Sequence, residues 1–148
     1  MCRTEVPGFP PEETETRMRK SNKDKSIKIA VIDDDPSMVK VLRIMLATSG
    51  YEVVEALSGV KGVMIVKGES PDLVLLDIMM PDVDGFEVCR RLKLDPETKD
   101  IPVIFVSAKT GSEHIEMGLS MGAEGFLIKP FELQEILDKI EEVTGPGA

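Results

Sequence analysis

Side chains that could do chemistry stand directly after four short apolar runs of the sequence. The runs are KIAVI (28–32), DLVLL (72–76), IPVIFV (101–106) and EGFLI (124–128). The residues that follow them are Asp33, Asp34, Asp77, Ser107 and Lys129. They comprise three carboxylates, a hydroxyl and an ammonium group. What this set could do depends on whether the chain brings the ends of the four runs together.

Three carboxylates at one place would need a cation. Two of them about 5 Å apart repel by roughly 3 kcal/mol at an effective dielectric constant near 20. Mg²⁺ suits oxygen ligands of this kind, since it binds one or two carboxylates, keeps several waters and accepts phosphate oxygens. A lysine and a hydroxyl nearby would add a positive charge and a hydrogen bond for an incoming phosphoryl group. The set therefore predicts a Mg²⁺ site that handles phosphoryl groups, provided that the residues meet.

The apolar runs alternate with amphipathic segments, as strands alternate with helices in an α/β fold. Strands are predicted over the four runs and over YEVVEA (51–56). Helices are predicted from Asp35-Pro36 to Gly50 and over residues 59–68, 86–94, 112–121 and 132–143. An aspartate followed by a proline is typical of an N-cap and the first position of a helix.

Continuous apolar strands joined by helices indicate a parallel sheet that is covered on both faces. Five such units suit a doubly wound sheet in the order 2-1-3-4-5, whose ligand site lies at the carboxyl ends of strands 1 and 3. In that order strands 1, 3, 4 and 5 are neighbours. All five polar residues then lie at one edge of the sheet, as the predicted Mg²⁺ site requires.

One domain accounts for most of the 148 residues, of which 42% are hydrophobic. Residues 1–26 are polar and aperiodic and are predicted to form a flexible tail, residues 27–143 the domain, and residues 144–148 a short C-terminal tail. No apolar stretch reaches the roughly 18 to 20 residues of a membrane span, and the first residues lack the apolar core of a signal peptide. We therefore expect a cytoplasmic protein without membrane contact.

The net charge of −9 is carried by the domain, since residues 27–148 hold 12 basic and 22 acidic groups. Nucleic-acid binding depends on lysines and arginines that neutralise phosphates, so this charge disfavours it. A chain with no Trp and one Tyr also lacks a stacking platform for single strands. Cys2 and Cys89 do not have the CxxC spacing of a zinc site. We expect no nucleic-acid partner for this domain.

Four motifs, taken in order, resemble those of the receiver domain of two-component response regulators. They are IDDDP (32–36), LLDIMMPDVDG (75–85), VSA (106–108) and IKPF (128–131), and the match covers residues 27–143. The resemblance implies a flavodoxin-like (βα)5 receiver fold that accepts a phosphoryl group on Asp77 from a sensor histidine kinase or a phosphotransfer protein. Such a domain is a signalling module and not an enzyme, beyond assisting its own phosphorylation and dephosphorylation.

The same resemblance implies how the metal is held. Asp34, Asp77 and the backbone carbonyl of Met79 would bind Mg²⁺ directly, Asp33 would act mainly through water, and Mn²⁺ would be a substitute. The apolar side chain of Met79, two residues after the acceptor, cannot orient a water molecule. We therefore hypothesise that the phosphorylated form loses its phosphoryl group slowly.

A conformational switch is also implied. Lys129 would contact the phosphoryl group, Ser107 would move toward it, and Phe126 would turn inward into the vacated space. Phe126 stands where Tyr is commoner in the family, and a cis peptide bond is implied before Pro130. The change would reach the face formed by the fourth helix, fifth strand and fifth helix. That face would bind an unknown downstream protein or, in a phosphorylation-linked homodimer, a second copy of the otherwise monomeric chain.

Two other functions remain open on the sequence alone. The segment DDDPS (33–37) approximates the nucleophile motif of haloacid-dehalogenase-type aspartyl phosphatases, and Ser107 and Lys129 mimic the next two motifs. That family requires a later acidic pair at the end of a strand, and no such pair follows Lys129 in this sequence. The second alternative is a receiver fold that docks partners independently of phosphorylation.

Three further polar residues are interpreted structurally. His114 is the only histidine and is expected to be an exposed helix residue, since no GxSxG motif accompanies it for a hydrolase triad. Asp82 and Asp84 lie in a segment that looks like part of a calcium loop, but that register puts Met80 and Arg91 at the first and last ligand positions. Both aspartates are therefore interpreted as turn residues.

Overall fold

The described residues, 26–108 and 112–145 of this computed structural model, form a five-stranded parallel sheet flanked by five helices. The strands are β1 (Lys28–Ile32), β2 (Glu52–Ala56), β3 (Leu73–Leu76), β4 (Val103–Ser107) and β5 (Gly125–Ile128). The helices are α1 (Pro36–Thr48), α2 (Gly59–Glu69), α3 (Gly85–Leu94), α4 (Ser112–Ser120) and α5 (Leu133–Thr144). The alternation of strands and helices confirms the predicted α/β class.

The sheet has the strand order β2-β1-β3-β4-β5, which confirms the predicted order. All neighbouring strands are parallel. Ile32, the last residue of β1, pairs with Leu76, the last residue of β3. Ser107 of β4 pairs with Ile128 of β5 in the same way. The carboxyl ends of these four strands therefore lie along one edge of the sheet.

Two apolar layers enclose the sheet, and alternate strand residues point into each of them. One layer joins α1 and α5 to the sheet through Ile29, Val31, Leu42, Leu46, Leu75, Ile104, Ile136 and Ile140. The other joins α2 and α3 to the opposite face through Ala30, Ile32, Val66, Leu76, Val88, Cys89, Leu92 and Phe105. Burial on both faces explains why the strands are continuous apolar runs without polar alternation.

The fourth strand begins two residues later than the apolar run that predicted it. Pro102 has no amide hydrogen and so cannot donate to the ladder. Its carbonyl still accepts a hydrogen bond from the Val74 amide at 2.9 Å. Regular strand pairing therefore starts at Val103.

Side chains cap the first turns of several of the helices. Asp35 accepts a hydrogen bond from the Ser37 amide at 2.9 Å, ahead of Pro36 at the first helical position, as the sequence predicted. Glu132 and Glu135 form a reciprocal capping box, so α5 begins one residue later than predicted. Short, capped loops keep the residues just after the strands close to the sheet.

The predicted N-terminal tail lies outside the described residues except for Ser26. Of the predicted C-terminal tail, Thr144 is the last residue of α5, and residues 146–148 lie outside the described range. Within the ranges 26–108 and 112–145, no helix combines the length and the apolar character needed to cross a bilayer.

Candidate functional site

Three aspartates meet where β1 and β3 end side by side. Asp33 and Asp34 follow β1, and Asp77 follows β3. Each offers one carboxylate oxygen to a group whose atoms all lie within 4.8 Å of one another. Asp33 and Asp77 are only 2% and 7% exposed, whereas Asp34 is exposed to solvent. The sequence prediction that these three carboxylates converge is confirmed.

Lys129 brings a positive charge to the same place from the end of β5. Its Nζ lies 3.2 Å from Oδ2 of Asp33 and 3.7 Å from Oδ1 of Asp77. Its backbone amide donates to the carbonyl of Ser107 at 2.9 Å, and the bond to Pro130 is cis, as expected. The ammonium group thus contacts two carboxylates and lies closer to Asp33.

Both carboxylate oxygens of Asp33 are already used within the protein. Oδ1 accepts a hydrogen bond from the Asp35 amide at 3.0 Å, and Oδ2 accepts one from Lys129. The side chain is therefore fixed in one orientation beside Asp77. Its sequence neighbour Asp34 remains open to solvent.

Asp77 carries an electrostatic penalty. Burial and the neighbouring carboxylate of Asp33 raise its pKa from 3.8 to about 6, and the charge of Lys129 opposes this rise only in part. One ammonium group does not compensate three carboxylates, so the cluster favours a further cation. Its donors are all carboxylate oxygens, with neither His nor Cys among them, and this set fits Mg²⁺.

A close backbone contact holds the loop between β3 and α3. The Gly85 amide donates to the carbonyl of Ile78 at 2.8 Å. A Cβ atom at Gly85 would overlap the carbonyl oxygen of Asp77. Only glycine allows the first turn of α3 to approach Asp77 this closely. Within this loop the side chain of Met79 is 58% exposed.

The two residues predicted to form the conformational switch, Ser107 and Phe126, lie on the neighbouring strands β4 and β5. Ser107 is the last residue of β4 and is buried. Phe126 on β5 is half-buried and packs against Phe105, with ring centroids 6.0 Å apart. The side chain of Phe126 is thus already partly within the apolar layer that α2 and α3 cover.

Residues 29–141 match the family model of the response regulator receiver domain. This chain belongs to that family. The membership removes the basis for the haloacid-dehalogenase alternative. It also accounts for the order of the four motifs along the sheet.

Curated relatives contain the same domain within longer chains. The DNA-binding dual master transcriptional regulator RpaA of Synechocystis is 41% identical over 113 residues, which are 76% of this chain and 47% of RpaA. The response regulator PleD of Caulobacter vibrioides is 39% identical over 119 residues, which are 80% of this chain and 26% of PleD. The receiver therefore spans half or less of the length of these relatives.

Solved structures match the fold over nearly their full length. The chemotaxis protein CheY4 of Vibrio cholerae superimposes with a TM-score of 0.77 at 27% identity, covering 80% of this chain and 99% of CheY4. A putative response regulator from Chloroflexus aurantiacus gives a TM-score of 0.77 at 30% identity, covering 81% and 98%. The fold of the receiver is thus that of CheY-like proteins.

His114 differs from its sequence interpretation. It was expected to be exposed, but it is half-buried, and its ring stacks on Phe86 with centroids 6.4 Å apart. Its Nδ1 has no hydrogen-bond partner in the described part of the chain. The contact with Phe86 at the start of α3 joins two elements, so the pattern of α4 alone does not reveal it.

The two aspartates interpreted as turn residues each cap a helix. Asp84 accepts a hydrogen bond from the Glu87 amide at 2.9 Å and so caps α3. Asp82 accepts from the amides of Gly59 and Val60, which begin α2. The capping role of Asp84 was readable from its position before Gly85 and a helical pattern. That of Asp82 was not, because its partners lie more than 20 residues away.

Proposed function

We propose that the receiver accepts a phosphoryl group on Asp77 from a sensor histidine kinase or a phosphotransfer protein, in a reaction that depends on Mg²⁺. The observation that carries this proposal is the meeting of a buried Asp77 with two more carboxylates and an ammonium group at one sheet edge. The membership of the receiver family supports the same reaction class.

The chemistry follows from these side chains. One oxygen of the Asp77 carboxylate would attack phosphorus, the bond from phosphorus to the histidine nitrogen would break, and the nitrogen would keep the electron pair. The product is an acyl phosphate on Asp77. Because the carboxylate attacks in its ionised form, a pKa of about 6 leaves the acceptor mostly ready at neutral pH.

The remaining groups stabilise charge and orient the reactants. Asp34, Asp77 and the Met79 carbonyl are the groups that would hold Mg²⁺, or Mn²⁺ in its place. Asp33, with both oxygens bound within the protein, would act through water. The bound ion would supply positive charge against the charge of the phosphoryl oxygens. Lys129 would add a second positive charge on the same oxygens.

Phosphorylation is proposed to shift a two-state equilibrium of the surface. Ser107 would move toward the phosphoryl group, and Phe126 would turn further inward. Four apolar side chains on α4, β5 and α5 are exposed by 39% to 48%, and the responding face would draw on those that lie toward β5 and α5. The four are Met117, Leu119, Ile128 and Leu133. A downstream protein or a second copy of the receiver would bind there, in the cytoplasm.

Phosphorylation of the purified protein tests this function. Wild type and Asp77→Asn are incubated with acetyl phosphate, with and without Mg²⁺, and the phosphorylated fraction is measured by intact mass. We expect modification of the wild type only with Mg²⁺ and none in the variant. Equal modification of Asp77→Asn, or a wild type left unmodified, would contradict the proposal. Partner binding that ignores both changes would instead favour a docking module.

A further inference from the structure

A hydrogen-bonded clamp joins the loop between β3 and α3 to the start of α2. Asp82 Oδ1 accepts from the Gly59 amide at 3.1 Å, and Oδ2 accepts from the Val60 amide at 3.0 Å. The next amide, that of Lys61, donates to Ser58 Oγ at 3.2 Å. The first three amides of α2 are therefore all satisfied, two of them by a side chain from another loop.

The charge of Asp82 suits this position. The amino terminus of a helix carries partial positive charge, which favours a carboxylate. The Val60 and Gly59 amides lower the pKa of Asp82 to about 2, so the carboxylate is ionised throughout the neutral range. The clamp is thus present at any pH at which the acceptor site works.

Backbone packing reinforces the same contact. A Cβ atom at Gly59 would lie 2.7 Å from the carbonyl oxygen of Val83, the residue after Asp82. Such a distance is too short for a real side chain unless the backbone moves. The loop therefore lies directly against the first residue of α2.

The clamped loop is the one that holds Met79. At one end of the loop the Asp77 amide donates to the carbonyl of Ile32 at 2.9 Å. At the other end the Gly85 amide donates to the carbonyl of Ile78 at 2.8 Å. Asp82 lies between these ends and ties the loop to α2, which is not adjacent to the loop in the sequence. Its hydrogen bonds thus act on the stretch that presents the Met79 carbonyl.

We propose that Asp82 is a positioning residue, which holds the Met79 carbonyl in place for the metal by clamping its loop to the amino terminus of α2. This proposal rests on the proposed Mg²⁺ site. Groups that orient metal ligands without touching the metal typically alter metal affinity by 10- to 100-fold when they are replaced. Asp82 is three residues from Met79 and would act in this way.

The test measures the Kd for Mg²⁺ by isothermal titration calorimetry in wild type and four variants. Asp82→Ala is expected to raise the Kd by about tenfold. Asp82→Asn keeps one acceptor oxygen and is expected to fall between wild type and Asp82→Ala. Gly59→Ala keeps the Asp82 side chain but sets a Cβ atom against the Val83 carbonyl, so it is expected to displace the clamped loop and weaken Mg²⁺ binding in the same direction.

Ser58→Ala is the matched control. It removes the other side-chain cap from the same helix end, so it should lower the melting temperature. Its Kd for Mg²⁺ should nevertheless stay within about twofold of wild type, because the Ser58 hydroxyl accepts its hydrogen bond from Lys61 of α2 itself and not from the loop that carries Met79. This separates a positioning role from general stabilisation of α2.

The outcomes separate two kinds of failure. If wild type, Asp82→Ala and Asp82→Asn all bind Mg²⁺ equally well, Asp82 has no positioning role. The proposed function is then unaffected. Weakening by Ser58→Ala as large as that by Asp82→Ala also overturns the role of Asp82. A wild type that binds no Mg²⁺ and takes no phosphoryl group overturns both proposals.

Discussion

At the scale of single residues, the protonation of Asp77 links the site to stability. Its folded-state pKa of about 6 lies above the ordinary 3.8, so the folded state holds the proton more tightly than the unfolded chain. Such a group lowers the free energy of unfolding as pH rises from about 4 to about 6, and the loss is complete above that window. The Asp77 carboxylate is thus retained at a cost to the stability of the metal-free protein.

The variant Asp77→Asn should therefore stabilise the metal-free receiver at pH 7. A shift of roughly two pKa units corresponds to at most about 3 kcal/mol, and the gain should vanish as pH falls through 6 to 4. Urea unfolding at several pH values in EDTA would measure it. The exposed Asp100→Asn is the control and should show no such trend. A gain in Asp77→Asn that does not depend on pH would contradict the explanation.

Met79, two residues after Asp77, is expected to affect the lifetime of the acyl phosphate. Its exposed side chain offers no group to orient an attacking water. Met79→Asn should shorten the lifetime of the acyl phosphate severalfold, as followed by loss of the modified mass after acetyl phosphate is removed. Met64→Asn, an equally polar change at an exposed site on α2, should leave the lifetime unchanged. An unaltered lifetime in Met79→Asn would refute the hypothesis of slow hydrolysis.

At the scale of elements, the position of α3 depends on a single glycine. A Cβ atom at Gly85 meets the Asp77 carbonyl, so Gly85→Ala must push the helix or the acceptor aside. We expect a loss of about 1–3 kcal/mol in the free energy of unfolding, together with slower phosphorylation. Chemical denaturation and the acetyl phosphate assay would measure the two effects.

Gly68→Ala, in a different helix, gives the matched comparison for Gly85→Ala. Gly68 lies in α2, and a Cβ atom there would meet nothing within 4 Å. Alanine should stabilise the helix by about 0.5–1 kcal/mol without changing phosphorylation. Equal effects of the two substitutions would show that crowding at Asp77 is not the cause.

The elements also show what the sequence could and could not predict. Apolar runs and their polar ends are local patterns, so Asp33, Asp77 and Lys129 could be placed correctly once the strand order was inferred. The clamp by Asp82 and the burial of His114 depend on which helices pack together, and no local pattern encodes that. The start of β4 was predicted two residues too early, because Pro102 is apolar like the rest of the run but has no amide hydrogen to donate to the neighbouring strand.

At the scale of the whole molecule, exposed apolar side chains on α4, β5 and α5 are the proposed contact with a partner. Met117→Glu and Leu119→Glu place charge on two residues that are each 48% exposed. The two residues point to different sides of α4. If the phosphorylated receiver pairs through this face, the double variant should weaken self-association of the beryllofluoride-treated protein by about tenfold or more. Sedimentation velocity would measure it.

The control for this face is Leu94→Glu, a change at an exposed leucine of α3. It should leave self-association and phosphorylation as in wild type. A wild type that stays monomeric with beryllofluoride would contradict the homodimer and leave a downstream protein as the partner of this face.

Whether Asp77 takes the phosphoryl group can be decided by mapping the modified residue. Borohydride reduces an aspartyl phosphate to homoserine, which peptide mass spectrometry can locate. After incubation with acetyl phosphate and Mg²⁺, we expect homoserine at position 77 of the wild type and at no other aspartate. Homoserine at position 33 or 34, or none at any position, would contradict the assignment.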